Sequence, residues 1–120
     1  MTWTSAKFPY LDDSVNLRVV AGTTTRTNGV SKGTYDSFNL ATHVEDDLQH
    51  VHTNRAFLRD HLSLPSEPYW LNQTHSNIVI EVPYEYRNYQ NAETLTIIEA
   101  DASYTKLANH VCCVMTADCL

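Results

Sequence analysis

Between Asp46 and Ser63 the sequence repeats at intervals of three and four: Leu48, Val51, Arg55, Leu58 and Leu62 share one stripe, which Phe57 widens. That spacing predicts an amphipathic helix with one face committed to a core. Asp46-Asp47 provides the N-cap, since an aspartate oxygen accepts a free amide of the first turn. The helix is expected to end near Ser63 to Pro65, because proline disfavours helical geometry in the residue before it. The other patterned stretches read as strands, so strands outnumber helices and the chain calls for an α/β or α+β fold.

The first of those stretches is Val15 to Thr25, where Leu17, Val19 and Ala21 alternate with Arg18, Val20 and Gly22 before a run of threonines. It reads as a strand that passes into a polar loop, Thr25 to Leu40, with neither a strand nor a helix period. A loop of that length in a small domain favours a functional role. Tyr69-Trp70-Leu71 and Asn77 to Val82 are rich in aromatic and β-branched residues and predict two strands flanking Gln73-Thr74-His75. Tyr84 to Thr94 is polar and reads as a surface excursion, Leu95 to Ile98 as a short strand. His110 to Met115 shows no alternation and reads as a buried strand.

A chain of 120 residues is one domain's worth of sequence, and residues 1–120 are expected to share a single core. With 42% apolar and 18% charged residues the composition is that of a globular protein. The net charge of −6 opposes a phosphate polyanion, so nucleic acid is not an expected partner. No segment approaches the roughly 20 apolar residues of a membrane span. The first ten residues carry no basic-then-apolar signal, so no membrane association is expected and the cytoplasm is the expected location. Of three cysteines, Cys112 and Cys113 are adjacent, which favours reduced thiols, and the lack of C-x-x-C spacing excludes a zinc ribbon.

Several residues carry chemistry of their own. Cys119, after the apolar run, is either a thiolate nucleophile or metal ligand activated by a neighbour, or a small buried hydrophobe. His75, where the chain turns between two strands, is either a ligand or a hydrogen-bonded structural histidine. Asp101 and Asp118 sit at strand ends, placed to orient an imidazole or move a proton, or else to cap a turn by accepting backbone hydrogen bonds. Arg26 and Lys32 lie among the hydroxyl side chains of the long loop, a mixture suited to one phosphate or to plain solvation. His50-Val51-His52 has the spacing of a copper pair. The predicted helix opposes that reading, because residues two apart point about 200° apart around its axis.

Read in order, T-T-R-x-x-G-V-S (Thr24 to Ser31), S-F-N-L (Ser37 to Leu40), H-V-x-D-D (His43 to Asp47), N-R-x-x-L (Asn54 to Leu58), W-L-x-Q-x-H (Trp70 to His75), A-D-A-x-x-T (Ala100 to Thr105) and T-A-D-C (Thr116 to Cys119) form a recognisable series. Over residues 24–120 the series resembles the YfiH-type, laccase-domain or multicopper-oxidase-like, family. The resemblance implies an α/β (α+β) fold with mixed β-sheets packed between helices, of which this chain is the N-terminal portion. It implies phosphorolysis of purine nucleosides (adenosine, inosine and methylthioadenosine), with adenosine deamination at the same site. It also implies a zinc site built from His75, Cys119 and a later histidine in an H-A-G-W-R-G run. Purine nucleoside and phosphate are then the small-molecule partners, and Arg26 a phosphate contact.

The chain departs from the pattern in three places. The third ligand has no counterpart up to Leu120, Asn28 stands where glycine is frequent, and Ser76 follows the histidine where glycine is usual. Two protein ligands fall short of the three that catalytic zinc ordinarily takes. The chain by itself is therefore expected to be inactive unless a second chain completes the fold. The alternatives left open are a cysteine hydrolase with Cys119 as nucleophile and His75 as base, and a laccase-like phenol oxidase using copper.

Overall fold

Helix α1, Leu48–His61, occupies the stretch the three-and-four spacing marks out in this computed structural model. Its N-terminus is fixed by Asp47, whose Oδ1 accepts the Gln49 amide at 2.8 Å. At the other end Ser63 takes a left-handed φ of 49°. The Leu64 amide then bonds the Arg59 carbonyl at 2.9 Å, and the Ser63 amide bonds that of Asp60 at 3.2 Å. These are the two bonds of a Schellman stop, completed one residue before Pro65. The buried face is Val51, Asn54 and Leu58. It is narrower than the predicted stripe, leaves Leu48 and Phe57 exposed, and has a polar residue at its centre.

The structure describes residues 1–9, 14, 18–83 and 98–117, and the chain divides into two units, Met1–Leu58 and Arg59–Leu120. In the first unit β1 (Trp3–Ser5) pairs antiparallel with β2 (Gly22–Thr24), Trp3 opposite Thr24 and Ser5 opposite Gly22. The strand predicted over Val15 to Thr25 is thus cut to its last residues. Its partner is three residues long, and Val19 and Val20 are exposed instead of paired. Residues 15–17 of that prediction lie outside the described residues. The polar loop that follows has one local element, a 3-10 turn at Gly33–Tyr35.

The second unit is built on parallel pairs. Leu71 and Asn72 (β3) lie beside Ile98 and Glu99 (β5), and Val79–Glu81 (β4) lies beside Ala102–Tyr104 (β6). On its other side the β3 segment begins with a parallel bridge between Tyr69 and Cys112. Antiparallel and parallel ladders with a helix make this an α+β chain with mixed pairing.

Over His110 to Met115, where the sequence predicts a buried strand, the described residues form an extended segment beside β3. Among the described residues it makes one bridge, and Cys112 and Val114 are exposed while Val111, Cys113 and Met115 turn partly inward. An alternation was present, hidden because both faces carry apolar side chains. The predicted strand at Tyr69–Leu71 is displaced by one or two residues to β3, and that at Asn77–Val82 is shortened at both ends to β4. That at Leu95–Ile98 survives as its last residue in β5, with 95–97 outside the described residues. The excursion assigned to Tyr84–Thr94 also lies outside them.

Candidate functional site

Two chain segments run side by side through the second unit, 71–81 and 98–104, and their pairing is interrupted once. Asn72 faces Glu99 and Val79 faces Ala102, so six residues, 73–78, lie opposite two, Ala100 and Asp101. The surplus cannot stay in the ladder and loops out of it, as a bulge does on a smaller scale. His75 lies within that loop.

The loop is gripped from the short side. The Asp101 carboxylate accepts the backbone amides of Thr74 (3.4 Å), His75 (2.9 Å) and Ser76 (2.8 Å), and the Ser76 hydroxyl at 2.5 Å. Ser76 Oγ in turn accepts the Ile78 amide at 3.2 Å, closing the turn on itself. Of the two roles open to Asp101 in the sequence, the structure selects the turn cap. The Ser76 hydroxyl, then the backbone amides, hold its carboxyl below the usual aspartate range.

His75 has φ 61°, a left-handed conformation that costs a residue with a Cβ about 1–2 kcal/mol. Its side chain is exposed, and among the described residues nothing hydrogen-bonds its imidazole. Within those residues both ring nitrogens are open.

Gln73, two residues before His75, fixes a second segment alongside. Its Oε1 accepts the Met115 amide at 2.7 Å and its Nε2 donates to the Met115 carbonyl at 2.9 Å. With the Tyr69 amide bonding Val111 O at 3.0 Å, residues 111–115 are tied along the 69–73 segment at both ends. The T-A-D-C run starts at the next residue. Asp118 and Cys119 themselves lie outside the described residues. Among the described residues no three histidine, cysteine or acidic side chains gather to hold a metal ion.

Arg26 belongs to the first unit. Its Nε donates to the Asp36 carbonyl at 3.0 Å and its Nη2 to the same oxygen. Its own carbonyl accepts the amides of Ser37 and Phe38 at 3.1 and 2.9 Å. The residue closes the loop on which it sits. No described carboxylate pairs with the guanidinium, which lies on an exposed surface. Lys32 is exposed nearby in sequence. His50 and His52 both lie on α1, as the argument against a copper pair required, and His50 Nδ1 is 3.9 Å from Asp46.

The residues that sequence reasoning missed hold this loop from outside it, from α1 and its N-terminal flank. Asn54, 1% exposed, accepts the Val30 amide at 2.9 Å and donates to Ser31 Oγ and to the carbonyls of Ser37 and Asn39 at 3.0, 3.3 and 2.9 Å. Asp46 accepts Ser31 Oγ at 2.6 Å and Asn39 Nδ2 at 3.0 Å. Asn28 sits at φ 64°, which explains why a glycine suits that position and why asparagine is a tolerated substitute. At Gly29 an added Cβ would fall inside the Ser37 carbonyl. Only the motif residues themselves signalled this arrangement, since the partners are far apart in sequence.

These features define an α+β protein that presents a histidine on a braced turn where a parallel ladder is interrupted. The chain belongs to the family described as multi-copper polyphenol oxidoreductase laccase, which its residues 20–120 match, and within it to the YfiH-type proteins. It is 48% identical over 107 residues to a purine nucleoside phosphorylase of Haemophilus influenzae, covering 89% of this chain and 40% of that protein. It is 42% identical over 102 residues to the purine nucleoside phosphorylase YfiH of Escherichia coli, covering 85% of this chain and 39% of that one. Among solved structures, a Neisseria meningitidis protein superposes with a TM-score of 0.74 at 36% identity, over 98% of this chain and 42% of that one. The chain spans about 40% of the length of the curated relatives it matches. Among the described residues no helix is long and apolar enough to cross a membrane.

Proposed function

We propose that this chain carries part of the active site of a purine nucleoside phosphorylase. The observation that supports it is the His75 turn: an open imidazole on a braced backbone, in a chain similar to proteins that bear that name. Phosphate attacks C1′ of the nucleoside, the bond from C1′ to the purine nitrogen breaks, and ribose 1-phosphate and free base leave. The rate gain comes from holding phosphate and nucleoside in line and from stabilising the purine as it departs.

His75 and Cys119 are assigned as two ligands of a zinc site that a further histidine, outside this sequence, completes. An imidazole with both nitrogens open fits a zinc ligand, and a thiolate is the other common donor. Bound zinc supplies Lewis acidity and lowers the pKa of water, which also accommodates adenosine deamination at the same site. Arg26 is assigned as a phosphate contact through the part of its guanidinium that does not bond Asp36. Adenosine, inosine and methylthioadenosine are the proposed nucleosides, and this chain alone is proposed to be inactive unless a second chain supplies the rest.

The test is release of ribose 1-phosphate from inosine and phosphate by the full-length protein, repeated with His75→Ala and Cys119→Ala. Both substitutions are expected to abolish release. Wild-type rates in either would remove that residue from the site.

A further inference from the structure

We propose that Asp101 positions His75 by gripping the main chain of its turn instead of its imidazole, an inference that rests on the reading of His75 as a zinc ligand. A ligating histidine ordinarily has its second ring nitrogen held by a carboxylate or carbonyl, which fixes the direction of the first. Asp101 is the carboxylate bonded to this turn, and it makes no ring contact. Its two oxygens take three consecutive amides, Thr74, His75 and Ser76, and the Ser76 hydroxyl.

That choice has a geometric consequence. At φ 61° the Cα–Cβ bond of His75 points where an extended or right-handed residue could not send it. A residue with a Cβ remains in that region only where its surroundings over-determine the conformation. Four hydrogen bonds converging on one carboxylate provide this, and the carboxylate is itself anchored. The Asp101 amide donates to Ile78 O at 3.0 Å, and the flanking Ala100 and Ala102 amides donate to Asn72 O and Ile78 O at 3.2 and 3.3 Å. Ala100 is fully buried. Asp101 thus grips the turn from the short side of the interrupted ladder, while the imidazole keeps both nitrogens for ligand and substrate. Released from that grip, the turn relaxes toward negative φ and carries the imidazole off its line.

The experiment uses the full-length protein with Asp101→Asn, Ser76→Ala and His75→Ala. Zinc affinity is measured by competition with a chromophoric chelator, alongside steady-state phosphorolysis of inosine. Asp101→Asn is expected to weaken zinc binding roughly 10- to 100-fold and to lower kcat with KM for inosine unchanged. Ser76→Ala, which removes one of the four donors, is expected to do the same to a smaller extent and serves as the measure if the asparagine variant does not fold. Wild-type zinc affinity and kcat in the folded variants, or a raised KM with kcat intact, would overturn the proposal while loss of zinc in His75→Ala left the metal site standing. Undiminished zinc binding in His75→Ala would overturn the metal-site reading itself.

Discussion

Gln73 and Met115 exchange two hydrogen bonds, the carboxamide of one standing where a neighbouring strand's peptide group would be. The 111–115 segment is therefore held beside β3 by a side chain at the point where backbone pairing has stopped. Gln73→Ala is expected to destabilise the protein by about 1–3 kcal/mol, two net hydrogen bonds at the usual value. Gln73→Glu keeps the acceptor for the Met115 amide but turns a carboxylate oxygen toward the Met115 carbonyl in place of the donor, so a loss of at least similar size is expected near neutral pH. Denaturation midpoints measure both. Faster hydrogen exchange at the Met115 amide would locate the effect, and an unchanged exchange rate there would count against the stitch.

Asn54 bonds four partners in the first unit, and Asn54→Ala strands the Val30 amide and takes a donor from the Asn39 and Ser37 carbonyls and from the Ser31 hydroxyl, which keeps its bond to Asp46. Removing one partner from buried polar groups costs more than the bond itself was worth. A loss of about 2–4 kcal/mol is expected, read as a lower denaturation midpoint at constant slope. A change below about 0.5 kcal/mol would mean that water replaces the network without penalty.

Adjacent positions in the same loop should respond unequally. Gly29→Ala drives a Cβ into the Ser37 backbone, which a side-chain rotation cannot relieve, and is expected to cost about 2 kcal/mol or more. Asn28→Gly frees a left-handed residue from its Cβ at some cost in chain entropy, and is expected to change stability by no more than about 0.5 kcal/mol. Comparable losses at both sites would contradict the backbone geometry described.

Acid should act through Asp46. The Ser31 hydroxyl, then the Asn39 amide, hold its carboxyl below the usual aspartate range, with the Asp47 amide and His50 adding to the effect against the opposing influence of burial. A carboxyl whose folded pKa is depressed binds its proton more readily when unfolded. Its stabilising contribution is complete above the unfolded value of about 3.9 and fades as pH falls through the folded value. Asp46→Asn is therefore expected to flatten the loss of stability below about pH 4. An acid profile identical to wild type would exclude Asp46 as a contributor.

The helix was legible because everything that defines it is local. The Asp47 cap, the spacing of Val51 and Leu58, and the stop before Pro65 all lie within one stretch of chain. Asn54 was not, because an asparagine in an apolar stripe reads as its polar margin, and its partners lie 15 to 24 residues away. His75 was singled out from its place between two strands, yet the reason for the turn lies 26 residues on, at Asp101. Cys119, the other half of the inferred pair, lies outside the described residues, so its side of the site rests on the motif alone.

The ladder that leaves off at Asn72–Glu99 resumes at Val79–Ala102 under separate pairing, so neither register depends on how many residues lie between. Lengthening or shortening the stretch 74–77, between Gln73, which is tied to Met115, and Ile78, whose carbonyl takes the Asp101 amide, would leave both strand pairs in place. The histidine is thus carried on an interchangeable insert, whose sequence can be retuned without the surrounding sheet being rebuilt.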